Sequence, residues 1–152
     1  MRTFVFLHVL TMILAVSVSG GAEILVHRVV GTRDLAGIRS VVGTYGVMAR
    51  FVPVLFFTGL AFGIVAIFVE GFNPFQPWLL MAYVLFASGV LVGAIVNGGW
   101  VGRLGTAAAA AASPDDAAYQ AALSDQRGRI GLVVFWLLIA AIVFVMIVKP
   151  LS

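Results

Sequence analysis

Residues 130–148 read IGLVVFWLLIAAIVFVMIV, an apolar run without a single charged residue. At 1.5 Å of rise per residue, a helix of this length crosses the roughly 30 Å hydrocarbon core of a bilayer. The strict period-2 alternation of a membrane β-barrel is missing, so the backbone must satisfy itself within a helix. Three further long apolar runs lie upstream, at about 3–26, 45–69 and 77–95, with Glu23 in the first and Arg50 in the second.

The composition agrees with the runs. Of the 152 residues, 62% are hydrophobic and 10% charged, against roughly 25% charged in an ordinary soluble domain. A soluble globular fold is excluded, and four crossings leave too few residues for a catalytic domain outside the membrane. The expected fold is all-α: an integral membrane four-helix bundle forming a single transmembrane domain over residues 1–152. Its connections are 27–44, 70–76 and 96–129.

Charge orients the bundle. Arg28, Arg33, Arg39, Arg50, Arg103, Arg127 and Arg129 fall on the side of the first and third connections, whereas only Arg2 and Lys149 fall on the other. The positive-inside rule then puts both termini outside and the long connections in the cytoplasm. The formal charge of +3 is read as this topological signal and not as a nucleic-acid footprint. The expected location is the bacterial inner membrane, with multiple passes. Met1-Arg2 ahead of an apolar run ending Ser17-Val18-Ser19-Gly20-Gly21-Ala22 has the outline of a secretory signal. Apolar character resumes at Ile24, Leu25 and Val26, which argues for a retained first crossing.

The connections carry helix signals of their own. Thr32 before Arg33-Asp34 has the form of an N-cap, and Leu35, Ile38, Val41 and Val42 recur at helical spacing, so the second crossing begins as an amphipathic stretch. Ser113-Pro114-Asp115-Asp116 reads as N-cap, first-turn proline and acidic first turn of a helix leading to the last crossing. The alanine-rich tract 106–112 suits either helix or linker. Pro53 is expected to bend the second helix, and Trp78 and Trp100 to anchor the third at the two membrane surfaces.

Small residues mark packing faces. Gly59 and Gly63, and likewise Gly89 and Gly93, lie one turn apart, which lets a neighbouring backbone approach closely; Gly20 and Gly21 offer a similar flat patch. They serve packing within the bundle or docking of a partner. His8 lies well inside the first crossing, where it is either a hydrogen-bonded packing residue or a ligand to haem b or copper. Met12, one turn on, is a second soft donor for copper. His27 is about 28 Å further along the helix, too far to share one iron with His8. Glu23, His27, Arg28, Arg50 and Asn97 fall at one boundary, as an ion-pair belt or as the mouth of a proton path.

Cysteine is absent, which removes disulfides, iron–sulfur clusters and thiol nucleophiles. There is no His-Glu-x-x-His pair, dinucleotide glycine fingerprint or P-loop. A self-contained hydrolase, kinase or dehydrogenase does not fit.

Four short motifs carry a resemblance. They are Phe4-Val5-Phe6-Leu7-His8-Val9-Leu10, Tyr45-Gly46-Val47 ahead of Pro53, Trp78 opening the third helix, and Val148-Lys149-Pro150. Across nearly the whole chain the sequence resembles a family of uncharacterised bacterial four-helix integral membrane proteins. More distantly it is similar to the copper-resistance D proteins and to the HemJ-type protoporphyrinogen oxidases. That distant likeness implies a haem-associated role for His8, although the chain lacks an intramembrane lysine. The leading expectation is a non-catalytic accessory or assembly subunit of a larger respiratory or photosynthetic complex. Its partners would be the lipid bilayer and other membrane subunits or further copies of itself. The alternatives are a haem or copper redox protein using His8 and an oligomeric ion or proton transporter.

Overall fold

A computed structural model describes residues 2–150. All elements among the described residues are helical: α1 (Thr3–Thr32), α2 (Leu35–Val69), α3 (Pro77–Leu91), a π-helical segment (Val92–Gly98), α4 (Gly99–Ala110), α5 (Ala117–Ser124) and α6 (Arg127–Val148). Four helical rods are long and apolar enough to cross a membrane: α1, α2, the continuous Pro77–Ala110 rod, and α5 with α6.

Each rod extends past its apolar run. α1 continues to Thr32, α2 starts at Leu35, and the third rod runs on to Ala110, taking the alanine tract up to that residue into helix. Between α1 and α2 only Arg33 and Asp34 remain outside helix. Arg33 ends α1 in the left-handed region (φ 57°) and donates its N–H to the Val30 carbonyl. Thr32 is not the N-cap of α2: it is the last residue of α1, with its hydroxyl donating to the Val29 carbonyl at 2.7 Å. Asp34 takes the capping role, its carboxylate accepting from the N–H groups of Ala36 (3.1 Å) and Gly37 (3.0 Å). The same shift occurs at α5, which starts at Ala117 and is capped by Asp116 instead of Ser113.

The bundle consists of two helix pairs. α1 and α2 pack along their length as a hairpin, and α3 with the π segment packs on α6, while α2 and α3 scarcely touch. The pairs join at both ends. At the end bearing the termini, Ile67 of α2 meets Trp78, Leu79, Ala82 and Val145, with Phe72 against them. Lys149 lies over the rings of Phe72 and Trp78 at 4.7 and 5.2 Å from their centroids. At the end bearing the α1–α2 turn, Val26, Ile38, Trp100, Val101, Leu104 and Tyr119 form a second cluster. There Arg39 of α2 donates from Nε to the Ala108 carbonyl and from Nη2 to the Ala111 carbonyl, both at 2.8 Å, and so satisfies the open C-terminus of α4. Trp78 and Trp100, expected as surface anchors, are both buried within these clusters.

The π segment sets the register of the third rod. Buried positions Ala82 and Gly89 are seven residues apart, Gly89 and Asn97 eight, and Asn97 and Leu104 seven again. The wider π turn absorbs the extra residue and keeps Asn97 on the inward face.

Candidate functional site

The glycine pairs have opposite fates. Gly59 and Gly63 form a notch in α2 that α1 fills: Met12 lies where a Gly59 side chain would be, and His8 where a Gly63 side chain would be. The His8 Nδ1–H donates to the Gly59 carbonyl at 2.7 Å, so in the neutral ring Nδ1 carries the proton. Both proposed ligand residues therefore press against α2. Among the described residues, no group of three or more His, Asp or Glu side chains is arranged to hold a metal ion. Gly20 is likewise filled, by the indole of Trp136 from α6, whereas Gly21 faces open space.

Gly89 and Gly93 meet nothing. A Cβ built on either would have no neighbour within 4 Å, although Gly89 is buried. Both look into a cleft of about 430 Å³ between the helix pairs. Its walls are Phe56 and Phe57 from α2, Phe86, Gly89 and Gly93 from the third rod, and Phe135, Ile139 and Ile142 from α6. Pro53 also lines it. It sits inside α2 without ending the helix, and its missing N–H leaves the Ala49 carbonyl, on the same wall, without its usual helical partner.

Polar groups gather at one end of this cleft. Glu23 of α1 lines it yet is only 6% exposed. Its Oε1 accepts from the Asn97 Nδ2–H at 2.8 Å, whereas Oε2 and the Asn97 Oδ1 are buried without a hydrogen-bond partner. Asn97 fits only because Gly131 of α6 faces it, since a Cβ at Gly131 would collide with the amide oxygen. One turn further, His27 stacks on Trp100, with ring centroids 4.7 Å apart and planes 16° from parallel. Gly128 lies close against the same indole. Ser19 lines the same end, but its hydroxyl donates to the Ala15 carbonyl at 2.8 Å.

Of the boundary residues expected to act together, Glu23 joins Asn97 and His27 joins Trp100. Arg28 and Arg50 are exposed, and among the described residues the ion pairs are Arg103–Asp125 and Arg127–Asp125, so neither arginine meets Glu23. Gly128, Gly131, Trp136 and Arg39 were not singled out from sequence. The two glycines look there like ordinary small residues at a helix start, and only the partner across the bundle reveals their use. No family model, curated protein or solved structure matches the chain.

Proposed function

We propose that this chain is a multi-pass protein of the bacterial inner membrane, with both termini outside, that serves a larger membrane complex as a non-catalytic accessory subunit. Its working part is the cleft between α2 and α3, which holds one apolar molecule taken from the bilayer. The observation that carries this reading is the unfilled glycine wall at Gly89, which is buried, and at half-buried Gly93. Elsewhere in the bundle Gly20, Gly59, Gly63, Gly105, Gly128 and Gly131 are each met at close range by a side chain from another helix. A volume of about 430 Å³ falls in the range of small-molecule pockets, about 300–1,000 Å³. A partner helix about 10 Å wide spanning the hydrocarbon would need more than about 2,000 Å³, so the occupant is a lipid-like molecule instead of a polypeptide.

The test is to purify the protein in mild detergent from its own host and to measure organic-extractable molecules per chain by mass spectrometry. About one retained lipophile per chain is expected. Gly89→Phe, which places a ring in empty space and removes a weak helix former, should leave the bundle folded and the extract empty. Equal extracts from the two proteins would overturn the assignment, as would a polypeptide cross-linked from Gly89.

Orientation has its own test. A cysteine introduced as Ser113→Cys, between α4 and α5, should react with an impermeant maleimide only from the cytoplasmic side of oriented vesicles. Labelling from outside would reverse the topology, because seven arginines on one side against Arg2 and Lys149 on the other are its support.

A further inference from the structure

Resting on the cleft as a lipophile site, we propose that its ligand is a neutral molecule bearing a hydroxyl at one end, held by the free carboxyl oxygen of Glu23. Three observations meet there. Glu23 is 94% buried by its 6% exposure, lines the cleft, and has one oxygen bound by Asn97 and the other without a partner. Buried polar atoms are nearly always paired, and an orphan carboxyl oxygen is among the most costly exceptions. Of the two hydroxyls on the cleft wall, that of Ser19 is donated to Ala15 and that of Tyr45 makes no hydrogen bond to Oε2; the remaining walls are chiefly aromatic rings, aliphatic side chains and bare glycine backbone.

The head group follows from what Oε2 can accept or give. Asn97 donates to Oε1, so Oε2 is either the acceptor of a carboxylate or the hydroxyl of a carboxylic acid. A ligand hydroxyl satisfies both states, donating to the first and accepting from the second. A ketone serves only the acid, and a phosphate is repelled by the carboxylate. A cationic head would add a second buried charge, which must be desolvated to enter an apolar wall. The tail lies along Gly89 and Gly93, where the missing side chains make a flat channel for hydrocarbon.

Matched probes separate the head from the tail. Dodecanol, dodecyl methyl ether, dodecane and dodecyltrimethylammonium are titrated onto the protein in nanodiscs, with bound copies counted by native mass spectrometry. Dodecanol should bind about tenfold or more tightly than dodecane, the worth of one hydrogen bond to a buried, otherwise unpaired group. Glu23→Gln, whose amide both donates and accepts, should keep that preference. Glu23→Met should bring the ratio to about one while dodecane binding persists.

Equal affinity of dodecanol and dodecane for the wild-type protein would overturn the hydroxyl assignment, as would an unchanged preference in Glu23→Met. Tighter binding of the ammonium probe would assign a cation instead. Should Glu23→Met not fold, the wild-type series decides, because an acceptor-only ether must bind more weakly than the alcohol if Oε2 accepts, and as well as it if Oε2 donates; an ether no better than dodecane together with an alcohol no better than either overturns the proposal. Failure of the cleft itself looks different: no probe binds, or Gly89→Phe binds all of them undiminished.

Discussion

Asn97→Leu should lower the stability of the folded bundle by about 3 kcal/mol, and adding Glu23→Leu should recover at least half of that loss. Leucine has nearly the branching of asparagine and occupies the same space beside Gly131. What it removes is the donor to Glu23 Oε1, and since Oε2 already has no partner, the variant leaves a buried carboxyl with neither oxygen paired. Taking away the carboxyl as well removes the orphan and leaves two apolar groups in contact. The single variant Glu23→Leu should fall between, because the amide then loses its acceptor. Unfolding by sodium dodecyl sulfate in mixed micelles, followed by circular dichroism, measures all three, and the four proteins form a double-mutant cycle. A double variant less stable than Asn97→Leu would mean that the pair is not an isolated partnership.

Gly128→Ala should cost about as much, roughly 3 kcal/mol, at the high end for adding one methyl to a close-packed interior. The new Cβ would lie inside the Trp100 indole. That ring has little room to retreat, because His27 is stacked on it and only 3% of it is exposed. Trp100 must leave its position, and the cluster with Val26, Ile38 and Leu104 loosens with it. A change of the same chemistry at Gly43, an exposed site in α2 with nothing within 4 Å of its Cβ, should instead stabilise by about 0.5–1 kcal/mol through helix propensity. Thermal unfolding of the two variants side by side separates crowding from propensity; equal midpoints would refute the close approach.

The four rods were legible from long apolar runs carrying at most one Asp, Glu, Lys or Arg each, because few soluble arrangements tolerate such sequence. Their ends were not. Hydropathy reports which solvent surrounds a segment, whereas a helix continues into water as long as its residues permit it, so α1 runs on through His27 and Arg28 to Thr32. The caps were misplaced by two or three residues for a related reason: Thr32 and Asp34 are both competent N-caps, and the choice falls to the carboxylate that reaches two backbone N–H groups.

Gly59-x-x-x-Gly63 and Gly89-x-x-x-Gly93 are indistinguishable as motifs, yet one is filled by His8 and Met12 and the other opens onto the cleft. A glycine states that something can come close and does not state what. Glu23 and Asn97 were both singled out, but as members of a boundary belt with Arg28 and Arg50. Their pairing depends on the π segment, whose single extra residue rotates Asn97 inward and leaves no composition signal.

The two clusters that close the bundle at its ends, around Trp78 and around Trp100, leave the cleft communicating with its surroundings sideways, through the gap between α2 and α3. For the proposed lipophile, occupancy of such a site would answer to mole fraction in the bilayer and not to molarity in the buffer. Diluting a vesicle suspension tenfold with water would leave the site as full as before, whereas fusing the same vesicles with a tenfold excess of blank lipid would lower its occupancy. Under the proposed function, the filling of this cleft would be set by the membrane's recipe.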